Sequence, residues 1–256
     1  MTVGFYRLCR RRRRYSPAAA QQLPAERTAF PWTVRTDGKE RHFTARRVVG
    51  ADGASSLVRR TFYREPKTRY TAIQQWFPAG ENRAPFYSCI FDPVTSESCS
   101  WIIRKDDTLI FGGCFSPQDS REAYNRQKSR LEEYLGHSLG RPIKTEACQA
   151  VRPRGFSDFI TGRDGVYLIG EAAGFISASS FEGISSAIRS GSALAEAMSQ
   201  AAEDRELARF YRRKTTSLRL KLWLKTIKRW FMYTPWVRHI IMRLGLAAIH
   251  VEQENK

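Results

Sequence analysis

Val166-Tyr167-Leu168-Ile169-Gly170-Glu171-Ala172-Ala173-Gly174, followed shortly by Phe181-Glu182-Gly183-Ile184, is the stretch whose reading decides the fold. Asp164-Gly165 ahead of it is a turn signal, and Val166 to Gly170 is an apolar run of buried-strand length. Small residues fill the loop from Glu171 to Phe181. Ile184, Ala187, Ile188, Gly191, Leu194, Ala195 and Met198 then recur at helical spacing and predict a helix with a small-residue face. In this order, strand, loop and helix bring backbone amides and a helix N-terminus to an anion or an electron-rich ring. Taken alone, Gly-Glu-Ala-Ala-Gly is equally a tight strand-to-helix packing turn.

Upstream, Arg47-Val48-Val49-Gly50-Ala51-Asp52-Gly53 reads as a second short buried strand ending in a tight turn. Ser55-Ser56-Leu57-Val58-Arg59-Arg60 opens a helix after it. Asp-Gly by itself is more often a turn than a site. Before this strand, Trp32 to Thr36 alternates, Asp37-Gly38 is a hairpin turn signal, and Arg41 to Ala45 leads back. Between the two strand-and-turn units lie four β-type runs: Thr71 to Phe77, Pro85 to Phe91, Ser98 to Ile103 and Thr108 to Phe115. Pro, Gly, Asn and Asp separate them, which predicts an antiparallel sheet. Ser116-Pro117 predicts a helix start, Tyr124, Gln127, Leu131, Tyr134 and Leu135 mark one face, and Gly136 predicts the stop.

The two glycine-bearing motifs, in this order and with an antiparallel domain between them, resemble those of the FAD-dependent oxidoreductases related to aromatic hydroxylases. Within that superfamily the likeness is to the geranylgeranyl reductase family. Gly170 to Gly174 with Phe181-Glu182-Gly183-Ile184 and Arg189-Ser190-Gly191 is similar to the second flavin motif, and Val48 to Arg59 to the family's Asp-Gly motif. Ser100-Trp101-Ile102-Ile103-Arg104-Lys105 stands where the reductases carry a substrate-cavity motif, Tyr-x-Trp-x-Phe-Pro-Lys. The resemblance spans about residues 30–240.

It implies an α/β fold: a partial, Rossmann-like FAD-binding domain, an inserted antiparallel β-sheet substrate domain and a C-terminal helical region. The expected segments are 1–29, basic and poorly ordered; 30–64, with the Asp-Gly motif; 65–150, the substrate domain; 151–204, with the second flavin motif; and 205–256, basic amphipathic helices. Asp52, Gly53, Arg59, Gly170, Glu171, Ala172, Gly174, Glu182, Gly183 and Ile184 are the implied cofactor-binding residues, and Trp101 and Lys105 the implied substrate residues. Trp101 in an alternating strand is otherwise a core residue. Glu171, where such families usually carry Asp, would accept hydrogen bonds from ribityl hydroxyls. The implied reaction is FAD-dependent reduction of C=C bonds in a prenyl chain, with NAD(P)H or a reduced carrier as electron donor. No residue stands out as the proton donor, and no metal ligand set is expected. The alternatives are a flavin monooxygenase or halogenase acting on an aromatic substrate, and a non-catalytic basic membrane-surface protein.

A dinucleotide fold of this class opens with a Gly-x-Gly-x-x-Gly turn. The first 37 residues hold a single glycine, Gly4. The expectation is therefore a chain that starts partway through the FAD domain and by itself binds FAD weakly or not at all. Ala178 and Arg104 stand where the reductases have proline, and Cys99 and Ile103 replace the cavity motif's tyrosine and phenylalanine.

Composition bounds these readings. The 256 residues carry 43 Lys+Arg against 25 Asp+Glu, a formal net charge of +18, and are 42% hydrophobic. That excludes a wholly disordered chain, and no apolar run is long enough to cross a bilayer. Residues 1–64 and 205–243 each contribute +11, and residues 65–204 contribute −3. Arg10 to Arg14 form one run without interleaved aromatics, so the start reads as poorly ordered or as the scar of a misread gene start, with a nucleic-acid arm the weaker reading. Cys9, Cys89, Cys99, Cys114 and Cys148 form no CxxC pair, which fits a reducing cytoplasm; Cys99 and Cys114 read as packing residues. From Leu218 to Met232, Leu220, Trp223, Leu224, Ile227, Trp230 and Phe231 follow helical spacing, with Lys221, Lys225, Lys228 and Arg229 on another side. Thr234-Pro235 interrupts, and a second apolar helix runs from Trp236 to Ala248. Residues 217–243 fit either an anionic membrane surface, with the protein peripheral to it, or a helix packed on the protein body.

Overall fold

A computed structural model describes residues 29–36, 39–79 and 87–244. The chain divides into two compact units, each assembled from separated segments. Of the described residues, the first comprises those up to 67, then 156–176 and 183–219; the second comprises those between 68 and 155, 177–182 and those from 220.

In the first unit, β1 (Phe30–Thr36) and β2 (Lys39–Ala45) form an antiparallel hairpin closing at the Thr36–Lys39 pair. Its expected turn, Asp37-Gly38, lies outside the described residues. β3 (Val48–Gly50) leads into α1 (Leu57–Phe62). Packing fixes Gly50, because a Cβ there would stand 2.6 Å from Leu168 Cδ2 and 2.8 Å from Val58 Cβ. Later in the chain, β9 (Gly162–Arg163) and β10 (Val166–Leu168) complete a three-stranded sheet in the order β3-β10-β9. β3 and β10 are parallel, with Val48 opposite Val166 and Gly50 opposite Leu168. Tyrosines anchor β10: Tyr63 donates to the Val166 carbonyl at 2.7 Å and Tyr211 to the Leu168 carbonyl at 2.8 Å. α3 (Ile184–Gln200) and α4 (Asp204–Lys214) follow.

α3 forms where its periodicity predicts, but the helix turns a different face inward. Ser186, Ser190, Leu194 and Ala197 are buried, whereas Ile184 and Ile188 are exposed. The reason is the closeness of the Gly170–Gly174 turn, which admits only small side chains. Ser190 Oγ accepts the Gly170 N–H at 2.9 Å, and a Cβ on Gly170 would be 3.1 Å from Ala187 Cβ.

The second unit is built on a five-stranded antiparallel sheet in the order β5-β6-β7-β4-β8. Its strands are β4 (Arg69–Pro78), β5 (Tyr87–Phe91), β6 (Cys99–Lys105), β7 (Thr108–Phe115) and β8 (Lys144–Val151). One face carries Ile73, Phe77, Ile102, Phe111 and Phe115, which pack with Tyr124 and Leu131 of α2 (Ser120–Leu135). α2 starts later than Ser116-Pro117 predicts: Asp119 occupies the N-cap position, and the Ser116 hydroxyl instead bonds Gln118 Oε1 at 2.5 Å. Gly136, at φ 73°, ends the helix as expected. β8 escapes a pattern reading because its first half is charged and polar; it exists through pairing with β4, from Arg69–Val151 to Trp76–Lys144.

α5 (Thr216–Tyr233) and α6 (Pro235–Arg243) end the described structure, broken at Thr234-Pro235 as the sequence predicts. The expected continuation to Ala248 falls partly outside the described residues, as does the basic segment before Ala29. No helix among the described residues is long and apolar enough to cross a membrane.

Candidate functional site

β3 and β10 lie side by side and point the same way, so the two sequence motifs emerge together at their carboxyl ends. In open α/β sheets that is where ligands bind, because the turns there are free of strand pairing and present backbone groups and helix starts. The turns are stitched together directly: Ile169 N–H donates to the Gly50 carbonyl at 3.0 Å.

Asp52 follows β3 and serves α1. One carboxylate oxygen accepts from Ser56 Oγ at 2.5 Å, and the other from the Leu57 N–H at 2.6 Å and the Val58 N–H at 3.4 Å. Ser56 caps the same helix by accepting from the Arg59 N–H at 3.0 Å. The acid thus satisfies amides that a helix start leaves without partners. Gly53 has φ 72° with open space where its Cβ would be, so conformation alone calls for glycine.

Arg59 is 1% exposed. Its guanidinium donates to the Ala172 carbonyl at 3.1 Å, the Asp158 carbonyl at 3.0 Å and the Arg64 carbonyl at 3.1 Å. It reaches from one motif into the other and holds the Gly-Glu-Ala-Ala-Gly turn by its backbone. Sequence reading places Arg59 near the cofactor cleft; the structure gives it the job of clamping the turn that would form one.

The turn itself is a short 3-10 segment, Gly170–Ala173, ended by Gly174 at φ 83°. Ala172 is buried, and Glu171 sits half-buried at the start. A Cβ on Gly174 would lie 2.6 Å from the Asp158 carbonyl oxygen, so this glycine makes room for the chain's own backbone. Gly183 is the opposite case. It is the N-cap of α3 with φ −132° and no side-chain cap, and the nearest atom to an added Cβ is Ile176 Cγ1 at 3.5 Å. Ile184, the first helical residue, is 80% exposed. An open helix start with unused N–H groups, beside a half-buried carboxylate at a strand's end, suits an anionic or electron-rich ring system with hydroxyl groups attached. The residues present therefore fit a flavin, through Glu171, Gly183 and the first turn of α3. Glu182 belongs to the second unit, where Lys225 Nζ lies 3.4 Å from its carboxylate.

In the second unit, Trp101 and Lys105 alternate onto the sheet face opposite α2. The Trp101 ring lies against Gly112, where a Cβ would approach it to 2.8 Å, and Nε1 donates to Gln74 Oε1 at 2.9 Å. Ile103 shares this face, and Lys105 is exposed at the tip of the β6–β7 hairpin. Strand geometry puts Lys105 about 13 Å along from Trp101. Beside Trp101, the exposed Cys89 Sγ shares a 3.1 Å hydrogen bond with Tyr87 Oη, which either group can donate. The neighbouring Cys99 thiol first of all, and Tyr87 in addition, pull the Cys89 pKa down to about 6 against the effect of partial burial. Cys99 and Cys114 are buried, Cys99 with its pKa pushed up.

Sequence reading passed over Arg152, although the structure gives it a crowded place. Its guanidinium stacks on Tyr70 at 5.0 Å, Tyr233 at 5.1 Å and Phe181 at 5.2 Å. It also donates to the Ala178 carbonyl and to Tyr70 Oη, both at 3.0 Å. Arg152-Pro-Arg154-Gly155 carries no pattern that would mark it, since the aromatic partners come from residues far apart in the chain.

No protein-family model matches the chain. Among curated proteins it is 45% identical over 221 residues to Protein CbrA of Escherichia coli O6:H1, an alignment covering 85% of this chain and 59% of that protein. The chain thus spans about three fifths of the length of that relative. Among solved structures it is similar to a geranylgeranyl bacteriochlorophyll reductase-like protein from Thermoplasma acidophilum, with a TM-score of 0.63 and 16% identity, covering 81% of this chain and 54% of that one. It is also similar to Klebsiella pneumoniae HpxO complexed with FAD and uric acid, with a TM-score of 0.56 and 16% identity, covering 86% and 60%. Identities this low speak to the fold alone, and on that level the chain has a flavoprotein-like, mixed α/β fold.

Proposed function

We propose that this chain forms part of an FAD-dependent oxidoreductase that reduces C=C bonds of a prenyl chain. The observation that carries the flavin reading is the pairing of the Asp52-Gly53 and Gly170–Gly174 turns at the carboxyl ends of β3 and β10, beside the open start of α3. Bound flavin would supply hydride to the substrate, drawing electrons from NAD(P)H or a reduced carrier. The protein's share is positioning. Glu171 would accept hydrogen bonds from vicinal hydroxyls, and the N-terminal amides of α3 would stabilise negative charge on the ring edge. Arg59 would keep the turn rigid through three backbone carbonyls, so that orientation is set before binding. Trp101 and Ile103 would offer an apolar wall to a hydrocarbon substrate.

Titration of FAD into the purified chain, followed by flavin fluorescence and visible absorption before and after desalting, tests the cofactor reading. The expected result is weak, saturable quenching, with the flavin lost on desalting. A flavin signal unchanged at every concentration would refute cofactor binding by this chain alone. Chemically reduced FAD with a geranylgeranyl substrate should then yield a product gaining two hydrogens per double bond. The second reading, a monooxygenase or halogenase on an aromatic compound, draws support from the likeness to HpxO, which was solved with the planar heterocycle uric acid. A hydroxylated or halogenated aromatic product, with the prenyl substrate untouched, would favour it.

A further inference from the structure

From Thr216 to Leu244 the sequence contains seven Lys or Arg and no Asp or Glu. α5 and α6 each turn apolar residues inward, with Leu222 and Val237 buried. Each also carries a second apolar stripe that faces away from the body. On α5, Leu220, Leu224, Ile227 and Phe231 recur at helical spacing; on α6, Trp236 and Ile240 are one turn apart. All six are exposed, Leu224 by 53% and Trp236 by 64%. Scattered exposed apolar residues need no explanation, but four at helical spacing along α5, with two more on α6, mark an interaction surface. Lys221 and Lys228 flank it and are exposed, while Lys225 is engaged with Glu182.

We infer that this stripe docks on an anionic phospholipid surface, with α5 and α6 lying along the interface. The chemistry selects this occupant. Exposed Lys221 and Lys228 border the apolar residues, and the Glu182 carboxylate beside α5 is paired with Lys225, so the surface complements negative headgroups above hydrocarbon. Trp236 sits at the start of α6, where an indole can bridge the apolar and headgroup layers. A second copy of the chain fits poorly, because it would bring together two molecules that each carry a net charge of +18. Neither helix is long and apolar enough to span, so the association is peripheral. The inference does not rest on the flavin reading.

Co-sedimentation of the full chain with vesicles of phosphatidylglycerol and phosphatidylcholine, at about a 1:3 ratio, tests it against pure phosphatidylcholine. The expected result is strong pelleting with the anionic vesicles only, accompanied by tryptophan quenching from brominated lipid. Both Leu224→Ser/Ile227→Ser and Lys221→Glu/Lys228→Glu should lower the partition coefficient at least about tenfold. Unchanged circular dichroism and melting temperature would establish that these surface variants fold. Three results overturn the inference: no pelleting with anionic vesicles, wild-type pelleting by the folded apolar variant, or a dimer in sedimentation velocity that Leu224→Ser/Ile227→Ser dissociates.

Discussion

Cys89 illustrates how one side chain's chemistry depends on the strand beside it. Nothing in its sequence neighbourhood separates it from the other cysteines. The antiparallel register of β5 and β6 brings Trp101 opposite it and the Cys99 thiol one diagonal step away. Hydrogen bonds from Cys99, and then from Tyr87, favour its thiolate, so the folded pKa falls to about 6. A depressed pKa of this kind contributes stability above the ordinary thiol value and loses it as pH falls through the folded one. Alkylation by iodoacetamide, mapped by peptide mass, should therefore label Cys89 first, with a rate midpoint near pH 6. Cys99, pushed upward by its partner and by burial, should remain unlabelled at neutral pH. A Cys89 midpoint at the ordinary thiol value would contradict the geometry. Arg59 teaches the same lesson for a motif residue: its identity was legible, but its partners, three backbone carbonyls, appear only when the turns meet.

At the scale of elements, the glycines divide by physical cause. Gly174 combines a left-handed backbone with a carbonyl oxygen 2.6 Å from its missing Cβ. Gly174→Ala should lower folding stability by about 2 kcal/mol or more in urea unfolding, through strain and collision together. Gly183 has neither constraint, so Gly183→Ala should change stability by no more than about 0.5 kcal/mol. The same variant should weaken FAD quenching, because the added methyl sits at the helix start proposed to face the ring. Equal stability losses in the two variants would mean that Gly183 too is a packing glycine. β-type runs bounded by turn residues, such as those that form β6 and β7, were legible from residue pattern, as was the Gly136 stop of α2. β8 was not, because a polar segment becomes a strand only when a long-range partner offers its backbone groups. The inward face of α3 was also hidden: hydrophobicity nominates Ile184 and Ile188, whereas the tight turn beside the helix selects Ser186 and Ser190.

Across the whole molecule, charge and apolar surface make separable contributions. The net charge of +18 should bind the chain tightly to a cation-exchange resin, with elution set by ionic strength. Leu224→Ser/Ile227→Ser leaves that charge unchanged, so its elution position should match the wild type even as its vesicle binding falls. An earlier elution of that variant would show that the substitution perturbs the fold rather than the stripe.

By itself, the sequence determined what local pattern and backbone chemistry can determine: the strand-turn-helix units around Asp52-Gly53 and Gly170–Gly174, the antiparallel runs between them, and the cationic helices near the end. These depend on periodicity, turn residues and glycine conformation, all of which act over a few positions. Only the tertiary structure decided that Asp52 caps α1, that Arg59 clamps the second turn, that β8 pairs with β4, and that the α5 stripe faces outward. Each of those depends on groups brought together from distant positions, whose hydrogen bonds and burial have no local signature.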